Sequence, residues 1–312
     1  MKAAWYEVFG DTDVIKTGEL DIPGLKEAEV LVKVKAAAVN PVDAAVRKGL
    51  LKGLPVVFPA IPGWDMAGII EERGFGARRF NTGDEVYAYA RRPVVQWGSY
   101  AQYIVIPESY LALRSQTLSW EETAGIPLVG LTAYQSLFTT GHLHPGQTVL
   151  ILGASGGVGT LAIQLAIAKG AEVIGVASEK NHAYMRELGA AHTIDYHNTD
   201  IGEAVKQDYP GGVDLIFDAA GGETLKQSLS AVKKNGAVVS ILNRGTDIDK
   251  SIHFHFVFTD PNTTHLEQLR ELADGGKIKV PISEIYGLDE AAEAMRQIET
   301  HHTRGKMVIL PW

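Results

Sequence analysis

Four glycines at 153, 156, 157 and 159, in the stretch GASGGVG, have a spacing at which the backbone itself can do chemistry. Such a turn lets the main chain approach an anion and lets the following helix pack closely on the preceding strand. The N–H groups at the helix start, aided by the helix dipole, then bind a diphosphate. The apolar runs TVLIL (148–152) and TLAIQLAIAK (160–169) supply the strand and helix that this requires. Gly153, Ala154, Ser155, Gly156, Gly157, Val158 and Gly159 are therefore expected to bind a dinucleotide.

The next strand, AEVIGVA (171–177), bears on which dinucleotide. An acidic residue at its end would bond a ribose 2′-hydroxyl and repel a 2′-phosphate. Ala177 and Ser178 stand there instead, with Lys180 close behind. A hydroxyl and an ammonium suit a phosphate, which favours NADPH over NADH; Glu179 counts against it. The competing reading is that Ser178 and Asn181 only cap the following helix.

Around this turn, from Thr148, strand-like and helical runs alternate: TVLIL, AEVIGVA, HTIDY (192–196), VDLIFDAA (213–220) and AVVSIL (237–242), separated by amphipathic stretches. Gly170 and Gly189 stand at expected helix C-termini, and Asp200 with Glu203 has capping-box spacing. Strands apolar on both faces imply a parallel sheet covered on both sides. Before Ser119 the pattern differs, with short strands punctuated by Gly and Pro. SWEE (119–122) then opens a helical stretch to about Thr140, divided at Pro127. The tail beyond residue 278, with ISEIY (282–286) and KMVIL (306–310), resembles the β-rich first part. The expected fold is α/β, a doubly wound parallel sheet over 123–278 inserted into a β-rich domain made of 1–122 and 279–312.

The 312 residues suffice for two such domains. With 29 basic against 37 acidic residues and no Lys/Arg block, nucleic acid is not an expected partner. No apolar run is long enough for a bilayer and the start lacks the apolar core of a secretory signal, so membrane insertion is not expected and the expected compartment is the cytoplasm. Cysteine is absent, which removes disulfides, thiolate nucleophiles and cysteine-ligated zinc.

The stretches AAAVNPVD (36–43), PGWDMAGII (62–70), FGARRFNTGDEVYA (75–88), WGSYAQYIVIP (97–107), PLVGLTAYQSL (127–137), GASGGVG, ELGAAHTIDY (187–196) and FDAAGG (217–222) together resemble a zinc-independent quinone oxidoreductase of the medium-chain dehydrogenase/reductase superfamily. The resemblance covers essentially the whole chain. It implies a GroES-like catalytic domain carrying an inserted Rossmann domain, with the active site in the cleft between them. Zinc-dependent members place ligands where Asn40, Trp64 and Gly130 or Leu131 stand here. Without that Lewis acid, alcohol oxidation loses its main support, whereas hydride transfer to a quinone or an α,β-unsaturated carbonyl does not need it.

By this resemblance Asn40 lies beside the nicotinamide and bonds the acceptor oxygen, Thr132 lies near the same ring, and Trp64 walls the acceptor pocket unless it is simply core. Asp43 either takes part in catalysis or, the reading we prefer, orders the NPVD loop. Ser178, Lys180 and Tyr196 resemble 2′-phosphate contacts. Asp218, Ala219, Ala220 and Gly221, with Ile241, Leu242 and Asn243, close the cofactor cleft, and Lys306 resembles a basic residue returning to the cofactor, a surface salt bridge being its alternative. RKGLLKGLPVVFP (47–59) has no tyrosine of the kind related enoyl-thioester reductases use as proton donor, which disfavours a thioester and suggests protonation from solvent.

His253 and His255 share a strand face, a pairing that suits an edge strand or the seam of a homodimer better than a metal, and His301 with His302 falls in a polar loop. The expected activity is NADPH-dependent, metal-free reduction of a quinone or enone. The alternative, from a different class, is a structural or redox-sensing protein that binds NADPH without turnover.

Overall fold

The computed structural model describes residues 1–301 and 303–312. His302, expected in a polar loop, lies outside them. The chain forms two compact units, Met1–Leu128 with Pro261–Trp312, and Val129–Asp260.

In the first unit a seven-stranded sheet centres on Glu29–Val39, which pairs antiparallel with Asp65–Arg73, Tyr103–Pro107 and Lys306–Leu310. Its apolar side chains pack into a core with Val30, Val32, Val34, Met66, Ile70, Ile104 and Met307. The pairing of Lys306–Leu310 with Glu29–Val39 is what returns the end of the chain to this unit. It sets Met307 opposite Val39, and so brings Lys306 to the end of the long strand where Asn40 follows.

The second unit holds a six-stranded, all-parallel sheet. Its strands are β1 (Thr148–Leu152), β2 (Glu172–Val176), β3 (His192–Ile194), β4 (Val213–Asp218), β5 (Val232–Ser240) and β6 (His253–Phe256), in the order β3-β2-β1-β4-β5-β6. β1 is buried along its whole length, as a central parallel strand must be. The order reverses direction between β1 and β4, and in open α/β sheets ligands bind outside the carboxyl ends of the strands at such a switch point. The local expectations hold: Ser119 and Glu122 form a capping box, Asp200 caps the N–H of Glu203, and Gly170 and Gly189 take positive φ after their helices.

The division falls at 128 and 260, whereas the sequence pattern placed it at 122 and 278. Two sets of contacts explain the difference. The helix Trp120–Ala124 packs on Glu29–Val39 and Asp65–Arg73. The helix Thr263–Asp274 is tied to the first unit by the Tyr87 hydroxyl, which donates to Leu266 O at 2.5 Å, and by Ser115, whose hydroxyl donates to Asp274 at 2.6 Å.

Candidate active site and dinucleotide turn

In the second unit the glycine stretch leaves β1 at the switch point. Gly153 takes φ of +75°, and a Cβ there would meet Ala219 O at 2.9 Å. Gly159 lies so close to the start of the turn that a Cβ would come within 2.5 Å of Ala154 Cα. Both are therefore glycine for backbone reasons. The helix Gly157–Ala168 begins at Gly156, an N-cap residue with no side chain to accept its first N–H groups. At Gly156 an added Cβ would meet only Gly153 O, at 3.5 Å, so the space in front of it is not filled by this chain. An uncapped twelve-residue helix behind a tight turn fits a diphosphate.

The neighbouring loops are held by specific bonds of their own. Asp218, at the end of β4, is fully buried; one oxygen accepts the N–H groups of Ala220 and Gly221 at 3.0 and 2.6 Å, the other the Ser240 hydroxyl at 2.6 Å. Ser240 in turn accepts Leu242 and Asn243 N–H at 3.1 and 2.8 Å. Asp218 thus ties the ends of β4 and β5 together, and its carboxylate is used in doing so. Ala219, Ala220, Gly221, Ile241, Leu242 and Asn243 are positioned by it.

At the end of β2, Ser178 makes no capping bond, nor does the Asn181 side chain. The Asn181 amide instead donates to Ser178 Oγ at 3.2 Å and to Ser155 Oγ at 3.1 Å, linking the residues after β2 to the glycine turn. The helix-capping alternative for these two residues is therefore replaced by a loop-to-turn tie that sequence reasoning missed. Lys180 is exposed, and Tyr196 is 40 % exposed with its ring against His197. Thr132, on the helix Pro127–Tyr134, is buried, and its hydroxyl pairs with that of Thr259 at 2.7 Å.

The first unit contains a buried polar cluster at the turn after Glu29–Val39. Asn40 Nδ2 donates to Asp65 Oδ2 at 2.9 Å and, weakly, to Ala38 O at 3.4 Å. Lys306 Nζ donates to Asn40 Oδ1 at 2.5 Å and to Val39 O at 3.1 Å, with Asp65 Oδ2 3.7 Å away. Asp43 Oδ2 accepts Asn40 N–H at 2.9 Å and the Tyr100 hydroxyl at 3.1 Å. Asp65 Oδ1 accepts Leu128 N–H, at the start of the helix Pro127–Tyr134, at 2.7 Å.

Burial dominates the electrostatics of this cluster. It pushes Asp43 up to about 7, with the Asp65 charge adding and the Asn40, Tyr100 and Lys306 contacts opposing. It pushes Asp65 up to about 6 against the pull of Lys306, and holds Lys306 below the usual ammonium range.

Two expectations change. Asn40 is fully buried with both amide ends engaged, so it anchors the cluster and does not offer a free donor to an acceptor oxygen. Lys306 is not in a surface salt bridge: it is buried beneath Asn40. Trp64 is 4 % exposed, its ring edge-to-face with Tyr89 at 6.0 Å, which makes it part of the core. Asp65 and Tyr100 belong to the cluster and were not singled out from sequence, although each lies in a stretch, PGWDMAG and WGSYAQ, that carried the family resemblance. His253 and His255 are exposed on β6, an edge strand. Among the described residues no group of three His, Cys, Asp or Glu side chains is placed to hold a metal, and no helix is long and apolar enough to cross a membrane.

Residues 26–116 match the model for the alcohol dehydrogenase GroES-like domain, and residues 188–309 that for zinc-binding dehydrogenases. The chloroplastic NADPH-dependent alkenal/one oxidoreductase of Arabidopsis thaliana is 35% identical over the whole of this chain and 80% of its own length. The quinone oxidoreductase of Coxiella burnetii is 33% identical, with a TM-score of 0.91 over 100% of this chain and 99% of the other. The Escherichia coli quinone oxidoreductase complexed with NADPH is 26% identical, with a TM-score of 0.88 over 100% of both chains. Despite the second model's description, the donor set does not fit zinc: there is no cysteine, and asparagine and tryptophan stand at two expected ligand positions. With a parallel dinucleotide-binding sheet inserted into a GroES-like unit and these relatives along its full length, the chain belongs to the medium-chain dehydrogenase/reductase superfamily of oxidoreductases.

Proposed function

We infer that the protein is an NADPH-dependent reductase of quinones or α,β-unsaturated carbonyls that works without zinc. The observation that carries this reading is the uncapped helix Gly157–Ala168 behind the Gly153–Gly156 turn, at the switch point of the sheet. NADPH bound there supplies a hydride for the acceptor. The chain's own part is to bind and to orient. N–H groups at Gly157, Val158 and Gly159 hold the diphosphate, and Ser178, Lys180 and Tyr196 receive the 2′-phosphate, with Asn181 fixing Ser178 against Ser155. The Asp218–Ser240 pair shapes the loops 219–221 and 241–243 around the dinucleotide. Thr132, held by Thr259, lines the nicotinamide, and in the other unit the buried cluster of Asn40, Asp43, Asp65 and Lys306 holds the turn after Glu29–Val39 rigid.

Reduction of a conjugated acceptor suits this donor set, because negative charge spreads over the enone or quinone as hydride arrives and no metal is needed to hold it. The test is steady-state oxidation of NADPH and NADH against a panel of quinones and enones, with and without a chelator. Turnover that is faster with NADPH and indifferent to chelation is expected. Tight NADPH binding with no turnover on any acceptor would move the protein to a structural or sensing role. A homodimer formed along the exposed edge of β6 accompanies this reading, and the mass in solution tests it.

A further inference from the structure

Asp43 has a second oxygen that the cluster does not use. Among the described residues, Asp43 Oδ1 has no hydrogen-bond partner, although the side chain is 2 % exposed. The same is true of the Tyr6 hydroxyl and of Arg47 Nε and Nη1, on side chains that are fully buried. Asp43 and Arg47 stand one helical turn apart on the same face of Pro41–Arg47, and the Tyr6 hydroxyl feels the charge of both. Buried polar atoms left without a partner are costly, and native interiors do not sustain them.

The chemistry of these atoms selects what satisfies them. Arg47 and Tyr6 offer hydrogens; Asp43 Oδ1 offers lone pairs. A cation would be repelled by the guanidinium, an anion by the carboxylate. Water accepts two hydrogen bonds and donates two, so a water here can take hydrogens from two of these donors and give one to Asp43 Oδ1, within the two to four polar partners an internal water needs. We propose that Tyr6, Asp43 and Arg47 form an internal water site that links the buried Asn40–Asp43–Lys306 cluster to the half-buried ion pairs of Arg47 and Lys48 with Glu299.

The outer end of this link is present: Arg47 Nη2 bonds Glu299, whose other oxygen accepts Lys48 Nζ at 2.6 Å. Lys48 also lies 3.3 Å from Asp11. The charged and titratable groups that act on Asp43 are Asp65 on the adjoining strand, Tyr100 before Tyr103–Pro107 and Lys306 on the last strand, and Asp43 and Arg47 both act on Tyr6, after Lys2–Trp5. The water gives Asp43 Oδ1 its missing donor, so Asp43 releases its proton more readily than it would in a dry site. This goes beyond the proposed activity, and neither readout below depends on it.

A high-resolution crystal structure should show an ordered water at roughly 2.6–3.2 Å from both Asp43 Oδ1 and Tyr6 Oη. Direct pairing of these side chains, or a dry contact among them, would overturn the proposal. Carboxyl-carbon NMR of Asp43 in Tyr6→Phe, which keeps the ring and its packing, should show the proton affinity of Asp43 raised about three- to tenfold. Arg47→Met should raise it further, and Lys48→Met, which touches only the outer ion pairs, should leave it nearly unchanged. An unaltered Asp43 titration in Tyr6→Phe would equally reject the site.

Discussion

Asp43→Asn tests whether burial governs the cluster. Asp43 is an acid of ordinary strength in the unfolded chain, with a reference value of 3.8, and burial pushes it up to about 7 in the fold. A carboxyl whose folded value is raised contributes stability below the unfolded value and loses it as pH climbs through the folded one. The difference, about three pH units, corresponds to roughly 4 kcal/mol of stability lost between pH 4 and pH 8. Asparagine has nearly the same shape and can still accept the Asn40 N–H and Tyr100 hydroxyl bonds, but it does not titrate. The stability of wild type relative to Asp43→Asn should therefore fall by the order of 4 kcal/mol across that interval. Urea unfolding followed by tryptophan fluorescence is a clean assay, because all five tryptophans, Trp5, Trp64, Trp97, Trp120 and Trp312, lie in the unit that contains Asp43. A difference between the two proteins that stays constant from pH 4 to pH 8 would refute the argument: Asp43 would then keep its ordinary acidity despite its burial.

Lys180→Ala should raise KM for NADPH by roughly tenfold and that for NADH by less than about twofold, since it removes a charge-assisted contact that only the 2′-phosphate makes; equal changes in steady-state kinetics would reject that contact. Gly159→Ala should destabilise the second unit by about 1–3 kcal/mol, because the new methyl meets main chain at 2.5 Å, whereas Gly156→Ala should fold normally and weaken NADPH binding, the methyl having room in the protein but standing where the diphosphate belongs. Thermal melts and NADPH titrations separate the two variants. Lys306→Met should cost about 3–5 kcal/mol above pH 7 and less near pH 5, where Asp65, already pushed up to about 6, takes a proton in place of its lost counter-charge; a cost independent of pH in urea titrations would contradict the pairing.

What could be read from the residues and what could not divides along physical lines. The glycine turn was legible because its requirements are local: Gly153 needs positive φ, Gly159 needs contact with the turn's own backbone, and both are written within seven consecutive residues. The alternation from β1 to β5 was legible for the same reason, since strand and helix periods are short-range. The fate of Asn40 was not. That residue is an N-cap, a position where asparagine is common, and only the pairing of Met307 with Val39 brings Lys306 beneath it and leaves its amide with no free end. Asp65 was hidden in the same way: it reads as the first residue of a strand, and its two roles, to Asn40 and to Leu128, depend on neighbours 25 and 63 positions away. The helix Thr263–Asp274 reads as one more helix of the alternating series; the Ser115–Asp274 bond, spanning 159 positions, is what assigns it to the other unit. In each case the missing information is a long-range register, and it matters most for charged groups, because burial decides their ionisation and sequence alone gives no measure of it.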